Sequence, residues 1–156
     1  MDSGVTVDDL ETTAWRGFQR MAVGMATRLN RRLTSESGIS LPDYEVLSSL
    51  AGSETGTLRA FELGADLQWE KSRLSHHLKR MESRGLVNRR VCESDGRGLW
   101  VSITDQGQTV YDDASRAHGD LVDTLMIGRL DRNQLATLAA ISDIVLVGMT
   151  DEICAD

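Results

Sequence analysis

A short segment of the chain, from Glu70 to Ser83, concentrates hydrogen-bond donors and cations on one side of a predicted helix. At about 100° per residue, Leu74, Leu78 and Met81 share one stripe, which is apolar and is expected to face inward. The other side presents donors without acids, namely Ser72, Arg73, His76, Lys79 and Arg80. The phosphates and base edges of a DNA groove select such side chains. The segment is therefore predicted to be a DNA-recognition helix.

A β-hairpin is predicted directly after this helix. Gly85 provides the positive φ at which a helix can end, and the strand-like residues 87–92 and 99–103 flank a turn that contains Asp95 and two glycines. Arg97 lies near the tip, where it can reach phosphates or a minor groove while the helix occupies the neighbouring major groove. Asp95 is expected to brace Arg97. The hairpin is thus predicted to be a DNA-binding wing.

Each donor on the helix and the wing has an expected partner in DNA. Arg73 and His76 are assigned to base edges, and Arg97 to the minor groove. Phosphate contacts are expected from the remaining cations and the hydroxyl, which are Ser72, Lys79, Arg80 and Arg89. The alternative for the helix is an ordinary solvated face, and the wing that follows it argues against that alternative.

The charge of the chain is unevenly distributed. The whole chain carries a net charge of -7, which by itself argues against binding a polyanion. Residues 70–100 contain eight Lys or Arg and four Asp or Glu, whereas the rest of the chain contains nine and twenty. Screening over a Debye length of about 8 Å leaves the basic segment little affected by the acidic remainder. The negative total still favours a second hypothesis, a protein-interaction module of the same fold that does not bind DNA.

Helices at both ends of the chain are predicted to lie outside the DNA-binding part. Near the N-terminus, apolar residues at steps of three and four predict one helix of about 29 residues or roughly 40 Å, longer than a compact core requires. Thr104 is a good N-cap for a helix after the wing, and Asp131 with Gln134 forms a capping box for a last helix with a wide apolar face. A dimerisation region formed by residues 5–36 and 105–153 would bury that face.

Residues 40–104 are predicted to form the DNA-binding lobe between these helices. Ser40, three residues before Asp43, indicates a helix start with a capping box. Thr57 is expected to cap a short helix, and residues 64–67 are expected to form the turn before the recognition helix. All 156 residues are thus predicted to form one domain, mainly α with a small β-wing.

Five short motifs follow one another along nearly the whole chain. They are Leu41-Pro42-x-Tyr44-x-Val46-Leu47-x-x-Leu50, Ser72-Arg73-Leu74, Arg80-Met81-Glu82-x-Arg84-Gly85-Leu86-Val87, Asp95-x-Arg97-Gly98, and LWVSITDQG over residues 99–107. Together they resemble the MarR (multiple antibiotic resistance regulator) family of winged helix-turn-helix proteins. The resemblance implies a homodimeric transcriptional regulator, a repressor, that binds a pseudo-palindromic promoter site in double-stranded DNA. Glu70 departs from the small hydroxyl residue that many members carry at the start of the recognition helix.

The resemblance also implies a pocket for a small-molecule effector between the dimerisation helices and the DNA-binding lobe. The aromatic and apolar candidates to line it are Trp15, Phe18, Tyr44, Leu47 and Phe61. Each of them is also explained as a core residue at helical spacing, so both interpretations stay open.

No catalytic, cofactor or metal site is predicted. The chain has no nucleotide-binding loop, metalloprotease motif or activated nucleophile, so it is not expected to be an enzyme. The positions of His76, His77, Cys92 and His118 do not match the spacing of metal ligands, and His77 is expected to pack at the border of the apolar stripe. Cys92 is either a redox switch or a structural residue.

The composition indicates where the protein acts. No run of about 18 apolar residues occurs, and the acidic start of the chain differs from a secretory signal. Two cysteines are too few for a disulfide framework, which is typical of a reducing compartment. A cytoplasmic protein without a membrane partner is expected.

Overall fold

The computed structural model describes residues 9–91 and 98–153. In these ranges the elements are α1 (Asp9–Ser37), α2 (Leu41–Gly52), β1 (Thr57–Arg59), α3 (Ala60–Leu67), α4 (Lys71–Ser83), β2 (Val87–Val91), β3 (Leu99–Ile103), α5 (Asp105–Leu125), a short 3-10 turn (Ile127–Arg129) and α6 (Arg132–Ile153). The chain divides into two compact units within α5, and the boundary lies between His118 and Gly119. The predicted fold class, mainly helical with a small β-wing, is confirmed.

The helix starts and ends follow local side-chain chemistry. Gly38, with φ +65°, follows the last residue of α1. In front of α2, the Asp43 amide donates to Ser40 Oγ at 3.2 Å and the Ser40 amide donates to Asp43 Oδ2 at 3.0 Å, so the predicted capping box is present. Asp131 and Gln134 form the predicted capping box at the start of α6. The amide of each residue donates to the side chain of the other, and both hydrogen bonds are 2.9 Å long.

The antiparallel sheet has the strand order β1-β3-β2. Strand β3 pairs with β2 along the predicted hairpin, with Arg90 opposite Trp100, and with β1 on its other edge, with Arg59 opposite Trp100. The prediction that Thr57 caps a helix is therefore wrong, because Thr57 begins a strand whose partner lies more than 40 residues later. Helix α3 starts at Ala60 instead and ends at Leu67, so residues 64–67 are helical rather than a turn, and Gln68 with φ 53° follows the helix.

The core of the first unit lies between α2, α3, α4 and the sheet. Its members are Leu33, Ile39, Val46, Leu47, Leu50, Leu63, Leu74, Leu78, Met81, Leu86, Val87, Val101 and Ala114. The apolar stripe of α4, Leu74, Leu78 and Met81, faces this core as predicted. Burial on this side leaves the opposite side of α4 to face solvent.

Helix α5 enters the core through a close backbone contact at Gly107. A Cβ built at Gly107 would lie 2.1 Å from the carbonyl oxygen of Leu86 and 3.0 Å from Ile103 Cγ1. That carbonyl also accepts a hydrogen bond from the amide of Thr104, the predicted cap of α5. The Thr104 hydroxyl donates to the Gly85 carbonyl at 2.6 Å and accepts from the Gly107 amide at 2.9 Å. The contact therefore requires the absence of a side chain at position 107.

Gly107→Ala is expected to lower the free energy of unfolding by about 3 kcal/mol, because overpacking would push α5 away from Leu86. Gly119→Ala is the matched control on the same helix, since nothing lies within 4 Å of its built Cβ. The control should raise stability by about 0.5–1 kcal/mol through helix propensity. Urea denaturation measures both, and equal effects of the two substitutions would contradict the packing argument.

Among the described helices, none has both the length and the apolar character needed to span a membrane.

Candidate nucleic-acid interface

Helix α4 presents the predicted DNA-binding side chains on one exposed side. Its five outward residues are Ser72, Arg73, His76, Lys79 and Arg80, and all of them are exposed. His77 is instead buried beside the apolar stripe, in agreement with its expected packing role. The exposure of the five outward residues matches the prediction. The assignment of each of them to a base or a phosphate stays a prediction.

The start of α4 is unusual, because Glu70 occupies the N-cap and its side chain caps no amide. An acid is a poor replacement for the small hydroxyl that would cap a helix here. Trp69 compensates by packing against the core that contains Leu74. The helix start is therefore stabilised by apolar contact rather than by a side-chain cap.

Trp69 also restrains Arg73. The guanidinium carbon of Arg73 lies 4.1 Å from the centroid of the Trp69 ring, within the range of a cation–π contact. The other neighbour of this ring is His77, whose imidazole meets it edge-on with a centroid distance of 5.1 Å. Glu45 on α2 is close enough for Arg73 and His77 to act on it electrostatically, although its burial raises the pKa of the Glu45 carboxyl overall. Arg73 is thus oriented before any ligand arrives.

Arg80 is restrained by a different ring. Its Nη2 lies 2.9 Å from His77 Nδ1. On the other side of the same imidazole, Nε2 lies 2.9 Å from Oδ1 of Asp43 on α2. The Asp43 side chain is only 5% exposed, so an exposed cation of α4 is connected through one ring to a buried carboxylate.

Asp43 has a second cation. Arg84, at the end of α4, donates to Asp43 Oδ2 at 2.7 Å and to the Gly38 carbonyl at 2.8 Å. Burial alone would raise the pKa of Asp43, but the close contact of His77 and hydrogen bonds from the Ser40 amide and Arg84 outweigh it and keep that pKa well below its usual range. Asp43 is therefore an ionised buried carboxylate that joins the start of α2 to both the middle and the end of α4.

Arg89, predicted to contact phosphate, is engaged within the chain. Its Nε and Nη2 donate to Oε2 of Glu82 at 2.8 and 2.6 Å, and its amide donates to Oε1 at 3.2 Å. These bonds from Arg89 also lower the pKa of Glu82. Arg89 connects β2 to α4, and its assignment to a phosphate stays a prediction.

The wing sheet carries a second group of donors around Trp100. The guanidinium of Arg59 on β1 lies 4.8 Å from the Trp100 ring centroid, and Arg90 on β2 flanks Trp100 from the other strand. A cleft of about 360 Å³ is lined by Thr55, Thr57, Arg90, Trp100 and Ser102. Asp95 and Arg97, predicted for the wing tip, lie outside the described residues, as does Cys92.

The five candidates for an effector pocket differ in burial. Leu47 is fully buried in the core, and Phe61 is 69% exposed on α3. Trp15 and Phe18 stack on each other on an exposed part of α1, with centroids 5.9 Å apart. The assignment of these five residues to an effector pocket stays a prediction.

Tyr44, the remaining candidate, belongs to an aromatic stack. Its ring centroid lies 4.4 Å from that of His118 and 5.6 Å from that of Tyr111. Burial lowers the pKa of His118 and raises that of Tyr44. Among the described residues, no group of three His, Cys, Asp or Glu side chains is arranged to bind a metal ion.

The contacts that orient the cations of α4 were not predicted from the sequence. Trp69 precedes Arg73 by four residues, a spacing at which an aromatic ring and a cation can meet, so this contact had a local signal. Asp43 had a signal only as a capping residue. Its ion pairs to His77 and Arg84 join positions 34 and 41 residues apart, which no local pattern indicates.

Comparison with known proteins places the chain among transcriptional regulators. The family model described as "MarR family" matches residues 37–98. The organic hydroperoxide resistance transcriptional regulator of Bacillus subtilis (strain 168) is 30% identical over 96 residues, which are 62% of this chain and 64% of that regulator, a little under two thirds of its length.

Two solved structures are similar over nearly the whole chain, and both are MarR family transcriptional regulators from Streptomyces coelicolor. AbsC is 31% identical, with a TM-score of 0.85 over 96% of this chain and 98% of AbsC. Sco3205 is 33% identical, with a TM-score of 0.88 over 91% of this chain and 89% of Sco3205, and its crystal structure is of a complex with DNA.

Proposed function

The chain belongs to the MarR family of transcriptional regulators, and from this premise we propose that it binds a pseudo-palindromic promoter site in double-stranded DNA as a homodimer. The observation that carries the proposal is the exposed cationic side of α4, on which ring contacts orient Arg73 and Arg80. The DNA complex of a relative that is 33% identical supports it. Bound there, the dimer would repress transcription by blocking access of polymerase.

The geometry supports a division of roles along α4. Arg73 and His76 would read base edges in the major groove, and Ser72, Lys79 and Arg80 would contact phosphates. Arg97 would enter the minor groove from the wing. Arg89 stays a candidate for a phosphate contact, with its guanidinium paired to Glu82. Lys79 and Arg80 would contribute strongly to the affinity, since neutralised phosphates dominate binding to a duplex.

The homodimer is supported by apolar side chains that a single chain leaves exposed. On α1 these are Leu10, Trp15, Phe18, Met21 and Val23, and on α6 they are Ile141, Ile144, Val145, Leu146, Val147 and Met149. A contiguous apolar surface on a helix indicates a partner. We propose that a second copy of the chain covers these faces, and that residues 5–36 and 105–153 form the dimerisation region. Two copies of α4 would then read half-sites about 10 bp apart.

Ile144→Glu is expected to raise the dimer dissociation constant at least about 100-fold, because each of two related positions would bury an unpaired carboxylate. In an isolated chain the same change is harmless, since Ile144 is 73% exposed. Light scattering over a concentration series measures the effect. Val91→Glu on β2, also an exposed apolar residue, is the control and should stay dimeric. A dimeric Ile144→Glu protein would contradict this interface.

A binding titration of the wild-type protein on its own upstream region tests the proposed function. Tight binding to a defined site, weakened steeply between about 50 and 200 mM salt, is expected if several phosphates are neutralised. Footprinting on the same fragment should show two protected half-sites. Weak binding without a footprint would instead favour the protein-interaction module, which the DNA complex of the relative argues against.

Control by a small-molecule effector stays part of the proposal without an assigned site. Ligand binding would act by changing the separation of the two copies of α4. We propose no enzymatic activity and a cytoplasmic location, where promoter DNA is accessible.

A further inference from the structure

We propose that His77 is a positioning residue for DNA binding, which orients Arg80 on the exposed side of α4 without touching DNA itself. The inference rests on the proposed function, because Arg80 matters only if α4 meets DNA. It goes further in assigning a role to a buried residue that lies on the core side of the helix.

The contacts of the imidazole determine which nitrogen carries the proton. Arginine is always protonated in proteins and can only donate, so Nδ1 at 2.9 Å from Arg80 Nη2 must accept. Nε2 is shielded from solvent, and Oδ1 of Asp43 lies 2.9 Å away, at ion-pair distance but without the alignment of a hydrogen bond. Two lone pairs at that distance would repel each other, so Nε2 carries the hydrogen. His77 is therefore the neutral Nε2–H tautomer between a carboxylate and a guanidinium.

The surroundings of His77 favour this single arrangement. Trp69 contacts the ring edge-on, and the two carboxylates Asp43 and Glu45 approach from α2. Arg84 occupies the second oxygen of Asp43, so that carboxylate cannot turn away from the imidazole. The orientation of the ring is thus determined by α2, by α4 and by Trp69, which lies between α3 and α4.

The consequence is a guanidinium with reduced freedom on the DNA side. A free arginine loses rotamer entropy when it binds, and one that is already oriented loses less. Hydrogen bonding to His77 uses Nη2 and leaves Nε and Nη1 to donate to a phosphate. Lys79, the neighbouring cation, has no hydrogen bond or ion pair within the described part of the chain and provides an internal comparison.

A double-mutant cycle in operator binding tests the coupling. His77→Phe retains a ring of similar size beside Trp69 but removes the acceptor, and it should weaken binding about fivefold. Arg80→Ala should weaken binding about tenfold, and the double variant should be no weaker than about tenfold, since the effect of His77 acts through Arg80. Lys79→Ala in the His77→Phe background is the control, and there the two losses should multiply.

A loss for Arg80→Ala that is equally large with and without His77 would overturn the proposal. Non-additivity with Lys79→Ala as well would also overturn it, because that result would indicate general disturbance of α4. Each loss is measured between two proteins that carry the same residue at position 77, and the losses in the wild-type and His77→Phe backgrounds are then compared.

Nitrogen NMR of the imidazole tests the same arrangement without DNA or a change at position 77. Nδ1 of His77 should show the shift of an unprotonated nitrogen in the wild-type protein, and Arg80→Ala should move that signal. A protonated Nδ1, or no response to Arg80→Ala, would refute the positioning role even if DNA binding is confirmed. If the wild-type protein bound no DNA while the NMR result held, the proposed function would fail and the ring contact would stand.

Discussion

Replacing Arg73 by alanine is expected to weaken operator binding by at least about 30-fold. A bidentate contact to a guanine edge contributes about 1–3 kcal/mol, and a two-fold dimer loses it twice, so the smallest expected loss is about 2 kcal/mol. Arg73 is suited to such a contact because Trp69 restrains the guanidinium at 4.1 Å on the exposed side of α4. Fluorescence anisotropy with a labelled operator at fixed salt measures the effect.

The controls separate base reading from charge. Arg116→Ala removes the same charge from an exposed position on α5, where Arg116 pairs with Asp113, and should change binding little. Lys79→Ala should weaken binding to every sequence and reduce the salt slope, whereas Arg73→Ala should mainly reduce discrimination between operator and random DNA. Equal losses for Arg73→Ala and Arg116→Ala would show that net charge alone determines binding.

The second large effect is expected at Asp43, where alanine should lower the free energy of unfolding by about 3 kcal/mol. The substitution leaves His77 without its carboxylate and Arg84 without its ion pair, and it removes the capping box of α2. Because Arg84 is 42% exposed, solvent partly screens its ion pair with Asp43. The expected loss in the free energy of unfolding is therefore at the lower end of the range for breaking a buried ion pair.

Urea denaturation measures the effect of Asp43→Ala, and Asp113→Ala serves as its control. Asp113 also pairs with an arginine, but both partners are exposed, so its loss should stay within about 0.5 kcal/mol. Similar losses at the two positions would mean that the buried network contributes nothing beyond a surface ion pair.

The same carboxylate should make stability depend on pH. The pKa of Asp43 in the folded chain is depressed, whereas in the unfolded chain it is about 3.9, so the unfolded state binds the proton more readily. Its contribution is therefore present above about pH 4 and is lost as the pH falls below that value. Asp43→Asn should show a shallower decrease between about pH 5 and 3 than the wild-type protein. Parallel curves would argue against the ion pairs.

Sequence alone determined the features whose causes are local. The apolar stripe of Leu74, Leu78 and Met81 specified which side of α4 faces the core. The same stripe therefore specified which polar and cationic side chains of α4 are exposed. Ser40 with Asp43, and Asp131 with Gln134, specified helix starts that the hydrogen bonds confirm. These signals succeed because a helix brings residues three and four apart onto one face, whatever the rest of the chain does.

Only the tertiary structure decided the features that depend on partners far along the chain. Thr57 begins a strand rather than a helix because β3 offers an open edge, and Arg89 binds Glu82 because β2 packs beside α4. Asp43 was identifiable as a cap but not as the buried partner of His77 and Arg84. Strand pairing and the burial of charge depend on long-range packing, which the local periodicity of the sequence does not indicate.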